Sequence, residues 1–114
     1  MICELVEWSK HQFKLNKPDQ SGTTEREHLQ QVQDQTGRQV EGLQSPVEFP
    51  KLIAHVWSHF VTLSSSRGSG FSGPLPITFE QIKAWKELTE TPIQPWEVEA
   101  IKRVDQEYIR VANG

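Results

Sequence analysis

The sequence predicts an all-α protein, a small helical array of about four to five helices with a Gly/Ser/Pro-rich connector. Three observations lead there. Apolar residues recur at helical spacing in three segments beyond residue 49, a start signal precedes each segment, and no window alternates apolar and polar residues long enough for a strand.

From the N-terminus, Ile2, Leu5, Val6 and Phe13 share one face of a short helix, with Trp8 off to its side. Residues 16–23, with Pro18 and Gly22, read as a linker. Thr24 and Glu27 then have the T-x-x-E spacing of a capping box, which opens a polar helix over 24–36. That helix has only Leu29 and Val32 to bury, and Gly37 suits the left-handed position after its end. Pro46 and Pro50 bracket the next boundary, since a proline is tolerated where a helix begins. Beyond them Leu52, Ile53, Val56, Trp57 and Phe60 make a continuous stripe on a helix that ends near Leu63, where SSSRGSGFSGPLP takes over. Thr78 caps the next helix, with Gln81 reaching back, Ile77 stapling against Ile82, and Ile82, Trp85 and Leu88 on the buried face. Pro95 opens the last helix, which keeps Glu97 and Glu99 near its start and repeats Val98, Ile101, Val104, Tyr108 and Val111 to about Ala112.

A chain of 13.1 kDa has a folded surface of roughly 6,400 Å², so a real core is within reach. Its apolar share of 35% is low, and the deficit lies in polar runs such as NKPDQSGTTEREH and QQVQDQTGRQ within residues 15–48. The expected organisation is therefore an extension with a short helix over 1–23, a polar helix and linker over 24–48, and a compact helical domain over 49–114. Charge divides the same way: residues 1–48 hold five Lys/Arg against eight Asp/Glu, while 49–114 hold seven of each. A neutral core segment and an acidic front do not suit a phosphate backbone. The single cysteine, Cys3, excludes an internal disulfide. No apolar run approaches the roughly 18 residues of a membrane span, and MICELVEWSKHQF has no signal-peptide core, so a soluble intracellular protein is expected.

The stretch GSGFSG, residues 68–73, matches the letters of the dinucleotide fingerprint G-x-G-x-x-G. A helix precedes it where a strand is needed, and Pro74 and Pro76 remove amide donors where the phosphate-binding helix would start. It reads as a connector. His55 and His59 sit at i and i+4, but further metal ligands are missing, and the pair is expected on the exposed side of its helix. Ser64, Ser65, Ser66, Ser69 and Ser72, with His59 and Asp105 as partners, would be the material for a nucleophile, yet no G-x-S-x-G elbow is present. The helices over 78–89 and 95–112 could form a helix-turn-helix, but the second mixes Glu97, Glu99, Asp105 and Glu107 with Lys102, Arg103 and Arg110, which disfavours a recognition helix. No catalytic, cofactor-binding or metal-binding residue is assigned. Trp57, Trp85 and Trp96 lie in or beside apolar faces, where core packing competes with a partner-facing hot spot. Arg67 follows the Trp57 helix and is positioned to bridge the loop to a helix C-terminus.

The running pattern from Trp57 to Tyr108 resembles small proteins encoded among the tail-morphogenesis genes of long-tailed bacteriophages, proteins similar to tail assembly chaperones. The most specific pieces are RGSGFSGPLPIT and PWEVEAIKRVD, and the preceding REHL, Val32 and QTGR resemble the lead-in of such proteins. The resemblance covers residues 24–111 and leaves 1–23 as a variable extension. It implies a non-enzymatic protein of the host cytoplasm that binds the tape-measure protein, keeps it soluble, and recruits tail-tube subunits, in some phages with a longer frameshifted form. Trp57, Arg67, Phe71, Trp85 and Trp96 are then the candidate partner-binding residues, with self-association left open. The competing readings are a minor structural or adaptor protein of the virion and a small nucleic-acid-binding regulator.

Overall fold

The computed structural model describes residues 2–43, 45, 47–71 and 73–113. Pro46 and Ser72 lie outside the described residues. Five α-helices follow one another in the described chain: α1 (Ile2–Asn16), α2 (Glu25–Thr36), α3 (Ala54–Ser64), α4 (Phe79–Thr89) and α5 (Pro95–Asn113). Short 3-10 turns occupy Glu41–Leu43 and Lys51–Ile53. The all-α expectation holds, with one addition. Within the connector, β1 (Ser69–Gly70) pairs antiparallel with β2 (Gly73–Pro74), a small hairpin with Phe71 following its first strand.

That hairpin explains the glycines. A Cβ added at Gly68 or Gly70 would lie 3.3 Å from Leu75, whose side chain packs against both, and Gly73 adopts φ 116°, a conformation that favours glycine. The start signal of α4 acts in full as the sequence predicts. Thr78 Oγ1 accepts from the Gln81 amide while Gln81 Oε1 accepts from the Thr78 amide, a complete capping box. Thr24 accepts from the Glu27 amide without the return bond from the Thr24 amide to Glu27, so only half of the expected capping box forms there, and Gly37 closes α2 at φ 69°. Asp19 organises the turn between α1 and α2 by accepting from Ser21, Thr23 and His28. These bonds hold its carboxyl well below the usual range, the Ser21 hydroxyl contributing most.

The core is built from Leu5, Ile53, Val56, Phe60, Leu63, Ile77, Ile82, Ala100, Ile101 and Val104. Leu5 and Leu15 of α1 are buried, and Leu5 shares the core with residues of α3, α4 and α5. The expected faces need three corrections. Leu52 is 77% exposed, because residues 51–53 turn as a 3-10 helix and shift the phase that an α-helix would have given. Leu88 is 84% exposed, since α4 meets the core through Ile82 and half-buried Trp85 and extends beyond that contact. Val32 is exposed because α2 buries no residue and rests on α1 and on the turn at Gly42, where an added Cβ would fall 2.8 Å from Leu29. The outlying α2 accords with a radius of gyration of 15.8 Å, above the roughly 13 Å of an equally long compact chain.

If α1 belongs to the core, Leu5→Ala should lower stability in urea unfolding by about 2–5 kcal/mol. Val32→Ala should change it by less than about 0.5 kcal/mol.

Candidate partner-binding groove

Helices α1, α3 and α5 run in the same general direction. Trp8 meets Trp57 and Phe13 meets Phe60 along α1 and α3; His55 meets Trp96 and Phe60 meets Tyr108 along α3 and α5. Their C-terminal ends therefore come together, and between them lies an open groove of about 660 Å³. Its walls are Phe13, Trp57, Phe60, Val61, Tyr108 and Val111, with Gln12, Asn16, Lys17, Ser64 and Ser65 among the polar lining.

The rings form one connected set. Phe13 lies 5.8 Å from Trp57, 5.6 Å from Phe60 and 5.3 Å from Tyr108 between centroids, the last edge-on. Trp8 joins from above at 4.9 Å from Trp57 and 4.6 Å from Phe49. Such contacts fix the rings before any ligand arrives.

Arg67 sits behind the groove rather than in it. Its side chain is 6% exposed and its guanidinium carbon is 4.2 Å from the Tyr108 centroid. Nη2 donates to Asp105 Oδ1 at 2.6 Å and to Ser64 Oγ at 2.9 Å, Nε donates to Ser64 Oγ at 3.1 Å, and Nη1 donates to the Leu75 carbonyl at 3.0 Å. The other Asp105 oxygen accepts from the Ile77 amide at 2.9 Å. Asp105 is thus committed to Arg67 and the connector, and the Ser–His–Asp combination weighed from the sequence is not assembled around it.

The remaining candidates lie elsewhere. Trp85 meets His59 edge-on with centroids 4.9 Å apart, and Trp96 meets His55 at 6.0 Å, on the side of α3 away from Trp57. Phe71, following β1, is fully exposed. The structure therefore brings Trp57 and Arg67 to one region, Trp85 and Trp96 to a second, and Phe71 to a third. Of the two histidines expected on the exposed side of α3, His55 is exposed, whereas His59 is half-buried against Trp85. His55 Nε2 is 3.4 Å from Glu97 Oε2, and Glu97 is buried, its Oε1 accepting from the Gln94 amide. Among the described residues no group of three His, Cys, Asp or Glu is placed to hold a metal ion. The basic residues of α5 are also engaged: Lys102 donates to the Ile77 carbonyl, Arg103 to Cys3 Sγ, and Arg110 to Glu107.

Sequence reasoning did not select Phe13, Val61 or Tyr108 as site residues. Phe13 and Tyr108 stood on apolar stripes and were assigned to the core. Only the shared direction of three helices, which no local pattern encodes, leaves their edges open.

The fold and groove define a small helical protein with an open aromatic groove. A family model described as phage tail assembly chaperone matches residues 32–110, and the chain belongs to that family. The match contains Trp57, Phe60, Arg67, Asp105 and Tyr108, whereas α1 and its Phe13 lie outside it. No curated protein and no solved structure matches the chain. No helix among the described residues is long and apolar enough to cross a membrane.

Burial lowers the His59 pKa from its ordinary value of 6.5, the neighbouring His55 pushes the same way, and Glu97 opposes them. The unfolded chain therefore takes the proton first as pH falls below that value, so stability is lost in that direction and is level above it. Melting temperature should drop between about pH 7 and pH 5, and His59→Gln should reduce the drop.

Proposed function

We propose that the protein is a tail assembly chaperone that holds an apolar helix of the tape-measure protein, with or without tail-tube subunits, during tail morphogenesis in the host cytoplasm. The observation that carries this reading is the groove. Three helices present fixed aromatic rings across a surface that Val61, 49% exposed, leaves open to an incoming helix. Helix-in-groove recognition uses such a surface, with apolar anchors at i, i+3, i+4 and i+7 entering between the rings.

In this reading the protein acts by binding alone and catalyses no reaction. Trp57 is the principal anchor point, in keeping with the enrichment of tryptophan at interface hot spots. Arg67 acts as a positioning residue by holding Tyr108 and the connector. Phe71 and Trp96 are exposed apolar side chains outside the groove lining and are proposed as contacts for a second partner, with Trp85 supporting Trp96 through the two histidines. A virion-resident adaptor is the rival reading.

Co-expression with the tape-measure protein of the same genome tests the proposal. The tape measure should stay soluble and co-purify, and Val61→Gln, on the exposed wall, should weaken the complex by about tenfold or more without changing the melting temperature. A tape measure equally soluble and unbound with and without the chain would remove the reading. Mass spectrometry of purified particles should find the protein absent; stoichiometric retention would favour the adaptor.

A further inference from the structure

The rim of the groove carries a charge that the sequence as a whole does not. The chain has a net charge of −3, and its first 48 residues are acidic. On the α1 side of the groove, however, Lys17 and Arg26 stand with neutral partners only. Lys17 Nζ donates to the Val111 carbonyl at 2.7 Å across the groove's end. The Arg26 guanidinium donates to the side-chain oxygens of Asn16 at 2.9 Å and Gln12 at 2.5 Å, two residues that line the groove. Among the described residues the ion pairs are His28–Asp19, His55–Glu97, Arg67–Asp105 and Arg110–Glu107, so neither rim cation has a carboxylate.

Helix electrostatics accounts for part of this. Lys14 and Lys17 complement the negative end of α1. Arg26 is different: it lies in the first turn of α2, where the helix dipole disfavours a cation, and it is turned back over the end of α1 by Gln12 and Asn16. Two oriented cations therefore border an aromatic groove. Of the acids in the second half of α5, Asp105 is paired with Arg67 and Glu107 with Arg110.

From this juxtaposition we infer that the groove's occupant is an acidic amphipathic helix, with Asp or Glu flanking its apolar stripe where it passes Lys17 and Arg26. The inference rests on the groove being a helix-binding site and adds the charge of its ligand. The apolar face fills the space between Phe13, Trp57, Val61 and Tyr108. The flanking carboxylates replace neutral acceptors on Lys17 and Arg26, so that hydrogen bonds with one charged partner become ion pairs with two. Complementary charge at a rim acts mainly on association rate and choice of partner, so it selects among helices of similar apolarity.

The test uses the full-length protein and three synthetic 18-residue helical peptides with one shared Leu/Phe face and Glu, Gln or Lys at the flanking positions. Titration calorimetry at low salt should rank them Glu, Gln, Lys, with the Glu peptide about fivefold to tenfold tighter than the Gln peptide. The preference should shrink in roughly 0.3 M salt. Lys17→Gln and Arg26→Gln should each reduce the Glu advantage, read as the ratio of Glu-peptide to Gln-peptide affinity within the same variant; circular dichroism confirms that each variant is folded, and Lys17→Gln carries the test alone if Arg26→Gln is not.

A Lys peptide that binds as well as the Glu peptide, or a Glu advantage that survives loss of the rim cations, overturns the inference. If the Gln peptide binds and Val61→Gln weakens it, the groove reading stands when the charge preference fails. Failure of all three peptides removes both. A dimer in sedimentation velocity that Val61→Gln abolishes would identify a second copy as the occupant and overturn the inference in that way.

Discussion

The buried ion pair between Arg67 and Asp105 is the constraint on which the rest of the structure depends. Its side chains are 6% and 2% exposed, and at 2.6 Å they join the residue just beyond α3 to the middle of α5. A buried pair is costly to desolvate and contributes only when its remaining polar atoms are also satisfied. Here Ser64, the Leu75 carbonyl and the Ile77 amide do that. Lys102, one turn from Asp105, donates to the Ile77 carbonyl, so both backbone groups of Ile77 are held by α5. The connector between α3 and α4 is thereby fixed, and Ile77 enters the core fully buried. Without the pair, a segment rich in glycine and serine would have little to define its path.

The same pair shapes the groove. Arg67 lies over Tyr108 and near Phe60, and both rings line the groove that α1, α3 and α5 leave open at their C-terminal ends. Three helices running in one direction place their negative ends together, which disfavours further acids there and draws Lys17 across to Val111. A small protein of the tail assembly chaperone family thus has its aromatic surface fixed from behind by an ion pair and bordered in front by cations. Because the family match begins at residue 32, the α1 wall is supplied by sequence outside the matched segment.

Much of this was legible in the sequence. The Thr24 cap, the Thr78 capping box, the Gly37 stop, the α3 stripe from Ile53 to Phe60, the α5 stripe and the burial of Ile77 and Ile82 follow from local signals. The pieces RGSGFSGPLPIT and PWEVEAIKRVD pointed to the family, and they contain Arg67, Ile77, Lys102 and Asp105, the residues of the buried network. What was not legible depended on tertiary context. Leu52 required knowing that its turn is 3-10, and Leu88 and Val32 required knowing where a neighbouring helix stops. Trp8 looked peripheral because α1 buries a broad arc against two neighbours rather than one stripe. The end of α4 at Glu90, which takes φ 54° without being glycine, carried no glycine signal either. Asp105 was considered as a catalytic partner because its burial and its link to Arg67, 38 residues away, lie beyond any local pattern. The groove belongs to the same class, since its walls come from three segments that meet only in the folded chain.

The most direct measurement is a double-mutant cycle on Arg67→Ala and Asp105→Ala, followed by urea unfolding at neutral pH. A coupling of about 2–3 kcal/mol is expected if the pair organises the connector and the two helices, because each single variant strands a buried charge that the double variant does not. A coupling below about 0.5 kcal/mol, the size found for exposed ion pairs, would contradict the central place given to this interaction.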